Sequence, residues 1–265
     1  MKNFLLILAF FSITISCSEN GLEGLSTVET LNYKNGNLST GKVSSTGLVA
    51  PQGYELSEVN SPMSISPGSL MYCFYLNFQE KARYYISDDF VIPSNENWNI
   101  DNISLNVINW PVYTPSNFPV KKVYIEIYDG NPELATSKKV YGDLDTNIFK
   151  SASPTNVYRI NSSTTNINDP DNSVLIYKIE TAISNLNLKS GHYWFKMILK
   201  FDYGEDWSCY VPRLPVEGNN QSSFNAFFKD MYHGTVFTSD AEGFNGAPLV
   251  NYEVPFEIHG KKTIQ

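Results

Sequence analysis

The side chains best equipped for chemistry in this chain are its carboxylates. Asp88 and Asp89 stand together in "SDDFVIP", just ahead of an apolar run, while Asp129, Asp202, Glu205 and Asp206 fall in or beside turn-forming stretches. Hard oxygen ligands of this kind suit a structural Ca2+ ion if the fold gathers them, and the expected ligands are Asp88 and Asp89. The spacing matches no EF-hand loop, and acids at strand ends also serve as solvated or turn-forming groups. No other cofactor is expected. The three histidines, His192, His233 and His259, are scattered, and the chain carries no H-E-x-x-H, no G-x-S-x-G and no cysteine beside an activating base. It therefore reads as a non-enzyme; a triad or carboxylate pair assembled from distant residues is defined by coordinates rather than by spacing.

Aromatic residues offer a second chemistry. Trp110 and Tyr113 lie in "NWPVYTPSN", and Trp207 and Tyr210 in "GEDWSCYVP", both loop-like contexts. Exposed rings bind sugar faces by apolar contact while neighbouring Asn and Asp fix hydroxyls, so these four residues are the candidate ligand platform. The competing reading has the same rings closing the ends of a β fold. Trp98 and Trp194 fall inside predicted strands and are expected in the core.

The N-terminus says where such a module works. Lys2 is followed by an apolar stretch from Phe4 to Phe11, and small residues lead up to Cys17. The stretch is too short to span a bilayer and reads as a secretory signal over residues 1–16. "FFSITISCSEN" resembles a bacterial lipobox, with Thr14 where that family usually has Leu. The resemblance implies cleavage before Cys17 and acylation of its thiol and new amino group. Two or three acyl chains anchor stably where one does not. Ser18 is not the aspartate linked to inner-membrane retention, so the expected address is the outer membrane, facing either the periplasm or the cell surface. That leaves Cys73 and Cys209 as either a disulfide or two buried thiols.

Composition favours strands. Aromatics make up 14% of the residues and charged residues only 17%. The net charge of -8 comes with no basic run, which argues against nucleic acid as a partner. Residues 17–47, rich in Ser, Thr, Asn and Gly, read as the lipidated cysteine and a polar tether. Beyond them, short apolar segments are separated by turn clusters such as Asp129-Gly130-Asn131-Pro132. In "VYIEIY", Val123, Ile125 and Ile127 alternate with Tyr124, Glu126 and Tyr128. In "NISLNVINW", Ile103, Leu105, Val107 and Asn109 alternate with Ser104, Asn106 and Ile108. Both patterns predict strands with one wet face. The fold expected over residues 48–265 is all-β: an antiparallel β-sandwich, jelly-roll-like.

The succession "APQGYELSEV" (50–59), "SDDFVIPSNENWNIDNISL" (87–105), "YIEIYDGNPE" (124–133), "LKSGHYWFKM" (188–197) and "VPFEIHG" (254–260) resembles the landmarks of a β-sandwich domain in exported proteins of Bacteroidetes-type bacteria. That family has no agreed activity, so the resemblance implies fold and export rather than chemistry. Two functions follow: a lipid-anchored binding module for a glycan or other extracellular polymer, or a structural lipoprotein that binds another envelope protein.

Overall fold

The computed structural model describes residues 26–59, 73–77, 84–109, 118, 120–161, 164–168, 173–201, 208–214, 225–231, 234–237 and 253–265. They form fifteen strands and, among the described residues, no helix. One sheet runs in the order β1 (Thr27–Lys34), β15 (Phe256–Ile264), β5 (Glu96–Asn109), β9 (Ser173–Thr181), β8 (Phe149–Asn161), β2 (Glu55–Val59). To it are added β10 (Leu186–Leu188) on β5, and β12 (Ser208–Pro212), which pairs both β5 and β3 (Cys73–Asn77). The second sheet runs β14 (Thr235–Phe237), β13 (Phe227–Asp230), β4 (Tyr84–Ile92), β11 (Gly191–Phe201), β6 (Val120–Tyr128), β7 (Lys139–Asp143). Every pairing is antiparallel except that of β2 with β8. The two sheets pack face to face as a β-sandwich.

Strand alternation builds the core. Ile103, Leu105 and Val107 of β5 meet Val123, Ile125 and Ile127 of β6 in one buried cluster with Phe90, Trp98, Phe195 and Phe256. Trp98 lies parallel to Phe90 with centroids 6.0 Å apart, and its indole N–H donates to Glu96 at 2.7 Å. Trp194 is buried too, but on the far side of the second sheet, with Tyr85, Tyr124, Ile198 and Phe227.

The expectation of one wet face on β5 and β6 is corrected. Ser104, Asn106 and Ile108 are buried, as are Tyr124 and Glu126. On β5 the Asn106 amide donates to the Pro255 carbonyl at 2.9 Å, and Ile108 joins a small outer cluster with Val157, Val174 and Ile176. On β6 the Glu126 carboxylate is held by Lys139 at 2.9 Å and Lys196 at 3.2 Å. Burial of this outer face is only partly compensated, since Ser104 Oγ and Asn106 Oδ1 are buried without a hydrogen-bond partner.

The expected tether is corrected as well. Residues 27–34 form β1 and pair rung by rung with β15, from Thr27 opposite Ile264 to Lys34 opposite Glu257. Gly41 bridges to Leu56 and Val43 to Val49, so residues 35–47 are also built into the domain. β1 is an edge strand that buries only Leu31, which is why its composition looks like a linker.

Candidate functional site

β4 places consecutive carboxylates on opposite faces of its sheet. Asp88 points into the sandwich and is fully buried, whereas Asp89 is only partly covered. The segment entering β15 brings Glu253 and Val254 to the same point, and the residue following β1 brings Asn35. One oxygen from each of Asp88, Asp89 and Glu253 falls within 4.8 Å of the others. Asn35 Nδ2 donates to Asp88 at 3.0 Å, to Glu253 at 2.8 Å and to the Val254 carbonyl at 3.1 Å, three acceptors for two hydrogens. The Val254 and Asp89 backbone N–H groups also donate to Asp88, at 3.0 and 2.8 Å. Asn225 Nδ2 donates to Asp89 at 2.8 Å, its Oδ1 is buried without a partner, and the His192 ring contacts Asp89 from the rim.

The electrostatics are one-sided. Among the described residues no lysine or arginine pairs with Asp88 or Glu253. Burial pushes the Asp88 carboxyl well above its ordinary value, and the neighbouring Glu253 charge pushes it further, against two backbone N–H groups that favour the anion. Burial raises Glu253 as well. The nearby Tyr33 hydroxyl is pushed up to about 12 by its own burial and by these carboxylates. Such a cluster is neutralised either by protons or by a cation. Asp88, Asp89, Glu253 and the Asn225 amide oxygen are the groups able to hold a hard cation.

Of the acids singled out in the sequence, Asp88 and Asp89 come together. Asp129 does not join them; its carboxylate accepts the Lys138 N–H at 2.6 Å and shapes a turn. Asp202, Glu205, Asp206 and His233 lie outside the described residues. Glu253, Asn35 and Asn225 are additions that no local spacing signals.

Trp110, Tyr113, Trp207 and Cys17 also lie outside the described residues. The strands that lead to the two tryptophans are described. Asn109, the last residue of β5, precedes Trp110, and Ser208, the first of β12, follows Trp207. Cys209 sits opposite Asn109 and Tyr210 opposite Ile108, so both strands end side by side at one end of the sandwich. β12 also sets Cys209 opposite Leu76 and Pro212 opposite Cys73. Three rungs at about 3.4 Å each separate the two cysteines, beyond the Cα reach of about 7 Å for a disulfide; a bridge would need another register.

Compared with protein-family models, with curated proteins and with solved structures, the chain matches none. The fold and the site thus define the class of the molecule, a β-sandwich with a buried carboxylate cluster.

Proposed function

We propose that the protein is a lipid-anchored module of the bacterial outer membrane whose β-sandwich binds a glycan or another extracellular polymer without catalysing a reaction. The supporting observation is the polarity of β5. At its Glu96 end lie Ile264 of β15 and, beside that, Thr27 of β1, where the chain leading back to Cys17 enters the domain. At its Asn109 end lie the strand ends that lead to Trp110 and Trp207. Fourteen residues of extended chain set these ends about 44 Å apart. A chain entry at one end of β5 and strand ends that lead to the aromatic segments at the other suit a domain that presents its binding end away from the membrane.

Polymer pull-downs and glycan arrays with the full chain test this reading. Trp110→Ala and Trp207→Ala each weaken binding by about 1–3 kcal/mol while the unfolding midpoint stays unchanged. If Trp98→Ala, Trp110→Ala, Trp194→Ala and Trp207→Ala all destabilise alike, with none altering binding to any polymer, an envelope-assembly role replaces this reading.

A further inference from the structure

Away from both the carboxylate cluster and the β5–β12 end, the outer face of the larger sheet carries a groove of about 500 Å3. That volume falls within the range of small-ligand sites, about 300–1,000 Å3. Its cause is a β-bulge. His259 pairs with Asn102 and Gly260 with Ile100, leaving Asp101 without a rung. Gly260 is required at the crossing, because a Cβ there would lie 2.0 Å from the Asn99 carbonyl oxygen. The missing side chain and the displaced Asp101 open the surface between β1, β5, β9 and β15.

The groups facing this space are set for hydrogen bonding. Asn102 is 8% exposed, and its Oδ1 accepts the Thr181 backbone N–H at 3.0 Å. That bond fixes the amide and leaves Nδ2 without a protein partner among the described residues. Asp101 is exposed, with a carboxylate free of side-chain partners among the described residues. Its backbone is held, since the Ile183 N–H donates to the Asp101 carbonyl at 2.8 Å. Glu180 accepts from Ser151 at 2.9 Å and faces Lys150 at the looser distance of 3.7 Å. His259 is pinned between Asn32 at 2.9 Å and Glu257 at 3.1 Å.

We infer that this groove binds a neutral polyhydroxylated ligand, a saccharide segment, at a site separate from the aromatic end. Sugar hydroxyls both donate and accept, and here they meet two carboxylate acceptors, Asp101 and Glu180, beside a donor that no protein group among the described residues takes, Asn102 Nδ2. A phosphate or other anion is disfavoured by the same carboxylates. Leu31, Ala182 and Ile183 also line the groove and suit the C–H face of a sugar ring, whereas a lipid or apolar peptide would leave Asp101, Glu180 and Asn102 Nδ2 without partners. Among the described residues no Phe, Tyr or Trp lines the groove, so affinity rests on hydrogen bonds to a solvated ligand and is weak.

The test is calorimetric titration of the full chain with maltotriose, cellotriose, xylotriose and chitotriose, each at about 10 mM, ten times a Kd of about 1 mM. At least one trisaccharide binds. Asp101→Ala, which removes an exposed side chain, and Asn102→Asp, which keeps the acceptor for Thr181 but deletes the donor, each weaken that binding about tenfold or more. In a Trp110→Ala background, binding that remains still falls on Asp101→Ala, which separates this groove from the aromatic end. The inference is overturned if none of the four binds, or if binding is indifferent to both groove variants.

Discussion

Replacing Glu253 by Gln should make the protein more stable. Asp88 and Glu253 hold oxygens within 4.8 Å of each other inside the sandwich, with no basic partner among the described residues. Two unit charges at that distance repel by about 3.5 kcal/mol at an effective dielectric constant of about 20. Glu253→Gln keeps the volume and, through its carbonyl oxygen, the bond from Asn35 that Glu253 now accepts at 2.8 Å. It gives up an acceptor for the Asn225 backbone N–H, a long contact of 3.4 Å, for about 1 kcal/mol. The remaining gain is about 2.5 kcal/mol wherever both wild-type carboxylates are charged.

The pH dependence carries the sign. Both carboxyls are raised in the folded protein above their ordinary values of 3.8 and 4.5, so the native state holds protons that the unfolded chain releases. Their contribution to stability is complete below those ordinary values and is lost as pH rises through the folded ones. The variant's advantage therefore grows with pH, and near pH 4, where the repulsion is gone, only the loss of about 1 kcal/mol at the Asn225 contact remains. Urea unfolding of both proteins in chelator, from pH 4 to pH 9, measures that difference, from which the other carboxylates cancel. Added Ca2+ should then stabilise the wild type more than the variant, because the variant has lost a ligand. A variant less stable than the wild type at pH 8 in chelator would refute the repulsion argument.

Other perturbations probe the remaining levels. Trp98→Ala and Trp194→Ala, both rings buried, should each cost about 3–5 kcal/mol in urea unfolding, in contrast to Trp110→Ala and Trp207→Ala. Cys17→Ser should abolish incorporation of a fatty-acid probe; equal labelling of wild type and variant would remove the anchor from the proposed function. Gly142→Ala should cost at least about 1–2 kcal/mol, since φ there is +79° and a Cβ would sit 2.1 Å from the Ile125 carbonyl oxygen; an unchanged unfolding midpoint would mean that the β6–β7 edge shifts freely.

What the sequence revealed depended on whether a residue's role is set by its neighbours along the chain. Val123, Ile125 and Ile127 alternate with polar partners, and that local period was enough to place them inside a strand and in the core. β1 was hidden because its pairing depends on a strand more than 200 residues away, and an edge strand buries so little that Thr, Glu and Asn suffice. The covered outer face of β5 was hidden for a related reason. Ser104 and Asn106 are polar by type, and their burial depends on the tertiary fold rather than on their neighbours along the chain.

The carboxylate cluster follows the same logic. Asp88 and Asp89 were visible as an adjacent pair, but adjacency on a strand sends them to opposite faces, so the pair by itself makes no site. The site exists because β15 begins beside β4. The chain entering it delivers Glu253, and the Val254 N–H that faces Asp88, to a point where Asn35 also arrives at the end of β1. Asp88 and Asp89 come from the middle of β4, but Glu253, Val254 and Asn35 come from beside the ends of elements, where the backbone leaves its ladder and its polar groups need new partners. The groove at Asp101 arises likewise, from the one irregularity in the long β5–β15 ladder. In this sandwich the regular strands supply the packing, and the breaks in regularity supply polar groups that water or a ligand must satisfy, so breaks in the ladder are where binding should be sought.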